Sequence, residues 1–175
     1  MQEPVPLHVI HLDQDDPRKC TARKMGAMGL VNIHDSASGA PRRGFLLNPR
    51  STTILGPEDR SMISIGSSIV ALDCSWKKIE ESLKEIEGGT KLQGRILPFL
   101  LAANPVSWGN VGRLTSAEAL GASLAILGHW DQASSVLQPF KFGPQFLELN
   151  KQPLDAYAAA ESRDQIVELQ YEFFK

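Results

Sequence analysis

Asp73, Cys74, Ser75 and Trp76 follow one another directly after the apolar run Ile69–Leu72. A carboxylate at the end of a buried strand acts either as a proton acceptor or as the counter-charge of a bound cation. An indole beside it walls an apolar pocket and attracts cations through its ring face. The Cys74 thiol would need a nearby base to serve as a nucleophile, and no histidine lies close in sequence, so an inert buried thiol is the better reading. A second stretch with chemical content is "AANPVSWGNVG", which combines Asn104, Pro105, Trp108 and Gly109. It is long for a connection and rich in special backbone residues, as functional loops often are. Each stretch also has a plain alternative: a strand end with a packing Trp, and a structural turn.

The elements that must position these residues are legible from periodicity and punctuation. "SIVALDCSW" reads as a buried strand, and Lys77 to Ile86 as an amphipathic helix with Ile79, Leu83 and Ile86 on one face, stopped by Gly88 and Gly89. Pro6 to Leu12 reads as a short strand. Asp13 to Pro17 makes a turn whose acids and proline suit a helix N-terminus. The helix that follows carries Arg18, Lys19, Arg23 and Lys24, with Met25 and Met28 as core candidates. Ser36 to Gly44 reads as a flexible basic loop, "GFLLNP" as a strand stopped by Pro49, and "ILGPEDR" as containing a turn. After Arg95 the texture becomes helical. "ILPFLLAANP" is an apolar run interrupted by Pro98 and closed by Pro105, and Thr115 to Glu118 forms a capping box. A helix rich in small residues, Ala119 to Leu127, is able to lie close to a neighbour. Further helices fit His129 to Leu137, Pro144 to Leu149, Leu154 to Ala160 and Asp164 to Phe174, the last with Ile166, Leu169 and Phe173 on its inner side. The expected architecture is α/β over residues 1–92 and mostly helical over 93–175, with a soft boundary and a shared core.

Composition narrows the class. The chain has 175 residues, 42% hydrophobic and 22% charged, which fits one globular domain or two small ones sharing a core. No apolar run is long enough to span a membrane, and Met1 to Pro6 lacks the pattern of a secretory signal. Two cysteines make no disulfide framework, so a reduced, cytoplasmic setting is expected. The net charge of −2 argues against a wholly basic RNA-coating protein. The distribution is uneven: residues 17–60 hold eight Lys or Arg against three acids, whereas residues 114–175 hold four against eight. A basic half of this kind is the electrostatic footprint expected for a polyanion, and solvated surface charge explains it almost as well. The glycine-rich fingerprint of a dinucleotide site, a P-loop, a nucleophile elbow and a kinase signature are all missing. The four histidines, His8, His11, His34 and His129, and the two cysteines lack zinc spacing, so no metal is expected.

Taken in order, "HLDQDDPRKCTARKM", "LNP", "ILGPED", "LDCSW", "RILPFLLAANPVSWG", "LTSAEALGASLAILG" and "FKFGPQFLELNKQPLDAY" resemble the ribosome-biogenesis aminocarboxypropyltransferases that modify small-subunit ribosomal RNA. The resemblance runs from about His8 to Tyr157. Its "D-P-x-x-C-T", "D-C-S-W" and "A-A-N-P" elements are specific as an ordered set. One departure is Trp108, where the family usually has tyrosine; the aromatic plane survives and a hydroxyl is lost. The resemblance implies a SPOUT-like trefoil-knotted α/β fold, with residues 93–175 holding the S-adenosylmethionine-binding knot region and C-terminal helices. It implies transfer of the 3-amino-3-carboxypropyl group from S-adenosylmethionine to N3 of a (1-methyl)pseudouridine or uridine. Asp73 and Trp76 become the catalytic candidates. Trp76 would bury the methyl group, and Asp73 would offset positive charge or, less favoured, accept the imide proton. Thr21 would reach the methionine carboxylate and Leu72 the ribose. Leu97, Leu100, Asn104 and Trp108 would line the adenosine pocket or its mouth, and Thr115 with its helix start would hold the carboxylate end. Arg18, Lys19, Arg23, Lys24, Arg42 and Arg43 would meet phosphates of the rRNA or pre-ribosomal subunit. A monomer is expected. An ordinary SPOUT methyltransferase and a non-catalytic ribosome-assembly factor remain as competing readings.

Overall fold

The computed structural model describes residues 2–12, 21–73 and 78–175. Among them five strands form one wholly parallel sheet: β1 (Leu7–His11), β2 (Asn32–His34), β3 (Gly44–Leu47), β4 (Ser68–Asp73) and β5 (Gln93–Arg95), in the order β2-β1-β4-β3-β5. Eight α-helices lie among the described residues: α1 (Thr21–Ala27), α2 (Arg60–Ser64), α3 (Ile79–Gly89), α4 (Ser116–Ile126), α5 (Trp130–Leu137), α6 (Gly143–Leu149), α7 (Lys151–Ala159) and α8 (Arg163–Phe173). The fold is therefore mixed α/β. No helix among the described residues is long and apolar enough to cross a membrane.

A parallel sheet is buried on both faces, so its strands read as continuous apolar runs. The two faces separate with period two along β4: Ile69 and Ala71 join the large core cluster, whereas Val70 faces a smaller one. The large cluster lies under α1 and α4–α8, and the smaller one joins Ile10, Leu46 and Val70 to Ile86 of α3. One continuous core thus runs from β1 to α8, through Val9, Leu120, Leu154 and Ile166. α4 is central to it. Ten of its residues are buried, Gly121 among them, and a Cβ built there would come within 2.5 Å of Leu137 of α5. The small-residue helix does lie close to its neighbour.

Three expectations change. The apolar run after Arg95 is not helical: the chain from Ile96 to Thr115 is irregular, because Pro98 and Pro105 break it and its backbone groups bond elsewhere. The Phe99 amide donates to Gln170 Oε1, and Asn150 both accepts from the Leu101 amide at 2.8 Å and donates to its carbonyl at 2.9 Å. Met25 is fully buried, but Met28 is 54% exposed, since α1 ends at Ala27. β2 and β5, three residues each, fill positions to which the sequence assigned no element, and a short 3₁₀ turn, Ala37–Gly39, lies inside the basic loop.

Candidate functional site

β1 leads outward to β2, while β4 leads to β5 at the opposite edge, so the connections leaving these two neighbouring strands run in opposite directions. Crevices at such switch points are where parallel α/β sheets bind ligands. A cavity of about 480 Å³ opens beside this point, at the ends of β3, β4 and β5, roofed by the 96–115 segment and the start of α4. Its size falls within the roughly 300–1,000 Å³ of small-molecule sites. Leu47, Pro49, Ala71, Leu72, Ile96 and Leu97 supply apolar wall, and Asp73 is the one acidic residue among the described lining residues.

Asp73 ends β4, 15% exposed, and β1 places His11 beside it in register. His11 Nδ1 lies 2.8 Å from Asp73 Oδ2, and Arg23 Nε of α1 donates to His11 Nε2 at 3.2 Å. β1, α1 and β4 are thus linked through the His11 ring, with Arg23 on one nitrogen and Asp73 beside the other.

The roof is fixed by Glu118, which is 0% exposed in the first turn of α4. It accepts from the Ala103 amide at 2.6 Å, Asn104 Nδ2 at 2.7 Å and the Thr115 amide at 3.0 Å. Thr115 Oγ1 in turn accepts from the Glu118 amide, which completes the capping box read from the sequence. The Ala117 amide donates to Thr21 Oγ1 at 3.4 Å. The amides of Thr115, Ala117 and Glu118 are therefore occupied from within the protein, and a carboxylate at this helix start would have to compete with those bonds.

Of the residues the sequence points to, Thr21, Leu72, Asp73, Leu97, Asn104 and Thr115 come together around the cavity. Leu100 lies in the core at 0% exposure, and Trp108 stands outside the cavity lining, 60% exposed. Trp76, Arg18 and Lys19, like Cys20 and Cys74, lie outside the described residues. Lys24 donates to the Pro139 carbonyl and sits over the Phe140 ring, so it braces the helical half. Arg42 and Arg43 are exposed at the amino end of β3, about one strand length, roughly 13 Å, from the cavity end. His11, Arg95, Arg113 and Glu118 also belong to the site's surroundings. Only Glu118, through the capping box, left a local signal in the sequence. Among the described residues no group of three or more His, Cys, Asp or Glu is placed to hold a metal.

A parallel sheet with a cavity at its carboxyl ends, lined by apolar residues together with Asp73, Arg95 and Arg113, is the arrangement of α/β proteins that carry small-molecule sites. Residues 45–174 match the family model described as "Ribosome biogenesis protein, C-terminal". A relative from Methanosarcina acetivorans named 16S rRNA aminocarboxypropyltransferase is 44% identical over 95% of this chain and 92% of its own length. One of the same name from Methanothermobacter thermautotrophicus is 43% identical over 94% and 96%. The solved structure of the SAM-dependent rRNA:acp-transferase from Vulcanisaeta distributa superposes with a TM-score of 0.81 at 32% identity, over 96% of this chain and 97% of that one. The chain belongs to this ribosome-biogenesis family, whose curated members carry the name 16S rRNA aminocarboxypropyltransferase. Residues 5–37 also match a model described as a possible Fer4-like domain in RNase L inhibitor. With two cysteines in the whole chain, the donor set does not fit a four-cysteine iron–sulfur cluster.

Proposed function

We propose that this chain is an S-adenosylmethionine-dependent rRNA aminocarboxypropyltransferase and that the cavity at the ends of β3, β4 and β5 is its S-adenosylmethionine site. The observation that carries this reading is Asp73, the one carboxylate among the described lining residues, beside the apolar wall of Leu47, Ala71, Leu72 and Leu97; of the two arginines in the same lining, Arg95 is already paired with Asp59 and Arg113 stands on the roof segment. A sulfonium is a cation with three carbon substituents, and such a cavity suits both its charge and its apolar groups. Whichever carbon faces the nucleophile in line decides which group moves. For aminocarboxypropyl transfer, a base nitrogen attacks the side-chain methylene next to sulfur. A C–N bond forms and a C–S bond breaks. The electron pair stays on sulfur in methylthioadenosine, and the nitrogen gives its proton to solvent water. The nitrogen proposed is N3 of a (1-methyl)pseudouridine or uridine in small-subunit rRNA.

Asp73 offsets the positive charge in this reading, since one of its oxygens is already held by His11. Trp76, three residues further on, buries the methyl group. Thr21 Oγ1 accepts from Ala117, and its own proton remains to donate to the methionine carboxylate. Leu72 offers backbone groups to the ribose, and Leu97 and Asn104 shape the adenosine end. Arg18, Lys19, Arg23, Lys24, Arg42 and Arg43 are the proposed phosphate contacts.

The deciding experiment supplies rRNA from cells lacking this modification with S-adenosylmethionine labelled either in the methionine carboxyl carbon or in the S-methyl group. Entry of the carboxyl label alone is expected. Entry of the methyl label alone would make the chain a methyltransferase, and entry of neither a binding factor.

Two further readings follow the family. The chain threads as a SPOUT-like trefoil knot, supported by the long segment that returns from β5 across the cavity to α4. Pulling both termini to the full contour length with no trapped residues would exclude the knot. The protein acts as a cytoplasmic monomer, and a dimer mass by light scattering would overturn that.

A further inference from the structure

We propose that the loop 104–113 is a stacking platform for the RNA substrate, with Trp108 receiving a base and Arg113 a phosphate; this rests on the transferase reading above. Trp108 is 60% exposed, and its neighbours Val106 and Val111 are 77% and 47% exposed. Val106 and Val111 line the cavity mouth, and Trp108 lies between them in the chain. Three large apolar side chains left in water on one loop are poor packing, and patches of this kind mark binding surfaces. Arg113 lines the same mouth, and among the described residues its guanidinium meets no carboxylate.

The loop is held in shape without a ligand. The Gly109 amide donates to the Ala102 carbonyl at 2.7 Å, and the Ala102 amide to the Asn110 carbonyl at 2.9 Å. The Ser107 amide donates to Asn104 Oδ1, which ties the loop through Asn104 to the buried Glu118. Gly109 adopts φ +79°, a conformation that costs a side-chain-bearing residue energy. An exposed indole on a pinned backbone loses little entropy on binding. RNA is the occupant because the reacting base must arrive at this mouth. Unpaired bases are held by stacking on aromatic rings, and guanidinium groups pair with phosphate. The basic residues Arg42 and Arg43, at the far end of β3, are not placed to position a base here.

The test uses the full chain, its Trp108→Ala, Trp108→Phe and Arg113→Ala variants, and unmodified rRNA as probe. S-adenosylmethionine affinity is read by calorimetry, RNA affinity by filter binding, and the KM for RNA by carboxyl-label transfer. Trp108→Ala should weaken RNA binding and raise that KM by about 5- to 150-fold, the range of base–aromatic stacking. Affinity for S-adenosylmethionine should stay within about twofold, and Trp108→Phe should recover most of the RNA affinity. Arg113→Ala should lower the salt dependence of RNA binding by about one unit of log–log slope. Unchanged RNA affinity in Trp108→Ala would overturn the proposal and leave the patch to a protein partner. An equal loss of S-adenosylmethionine affinity would overturn it by placing Trp108 in the adenosine pocket. If wild type binds RNA but transfers neither label, the transferase reading fails, while the effect of Trp108→Ala on RNA binding still decides the platform.

Discussion

Asp73, 15% exposed, keeps one oxygen 2.8 Å from His11 Nδ1 and brings the one carboxylate to the described cavity lining. That is the physical content of Asp73, and it separates its two possible roles. As counter-charge, Asp73→Asn should weaken S-adenosylmethionine binding by about 1.5–3 kcal/mol, the value of a hydrogen bond or contact to a charged group. Methylthioadenosine, which has neither sulfonium nor ammonium, should bind the variant as it binds wild type. Calorimetry with both ligands settles it: intact S-adenosylmethionine affinity with lost transfer would assign the carboxylate to proton acceptance instead. Asp73 was legible because it ends an apolar run. His11 was not, because its partnership with Asp73 arises from the parallel register of β1 and β4, strands far apart in the chain. Trp108 was legible as an aromatic in a special loop, but only burial could tell pocket from surface.

At the scale of elements, the 96–115 segment shows why a sequence can state a motif and still misjudge its surroundings. The capping box of α4 was readable as Thr115 and Glu118. That Glu118 also holds Ala103 and Asn104 was not, since those bonds fold an apolar stretch back over its own helix. Glu118→Ala strands several buried donors at once, each worth about 1–3 kcal/mol when left unpaired. A loss of roughly 3 kcal/mol or more is expected in urea denaturation, with weakened S-adenosylmethionine binding. A loss below about 1 kcal/mol would mean that the roof is held elsewhere. The short edge strand β2 escaped the sequence because three residues show no period. Its neighbour β1 carries His8, whose ring stacks on His34 of β2 at 5.1 Å. Burial, and next the neighbouring His34, hold His8 below its usual 6.5, and burial followed by Arg60 does the same to His129. The unfolded chain therefore takes up protons first as pH falls. The stability contribution is full above about 6.5 and declines as pH drops through 6.5 toward the lowered folded values. A melting temperature that falls from pH 7.5 to 5.5, with a shallower fall in His8→Asn, is the expected result. An unchanged slope in the variant would remove His8 from the account.

Across the whole molecule, the basic half and the acidic helical half are joined by charge as well as by core. Asp59, 4% exposed ahead of α2, accepts from Arg95 Nε at 3.1 Å at the end of β5 and from Arg163 Nη2 at 2.8 Å at the start of α8. Arg95 also lies over the Phe45 ring at 4.9 Å, and Arg60 donates to the carbonyls of Ile126 and Ala158 at the ends of α4 and α7. Arg60, one of the eight basic residues counted between positions 17 and 60, is thus spent on holding the halves together, and Lys24 of the same stretch donates to the Pro139 carbonyl. This is why charge counting overstates the surface available to RNA. Removing Asp59 leaves two guanidinium groups partly buried without their anion, and losing one partner of a buried pair costs about 3–5 kcal/mol. Asp59→Ala should lower stability by that amount. Because the apolar cluster from Val9 to Ile166 is continuous, the variant should still unfold in one step. Tryptophan fluorescence and far-ultraviolet circular dichroism should therefore trace the same urea curve. Two separated curves would mean that the halves fold apart once Asp59 is gone, and that the charge cluster, rather than the shared core, makes the chain a single cooperative unit.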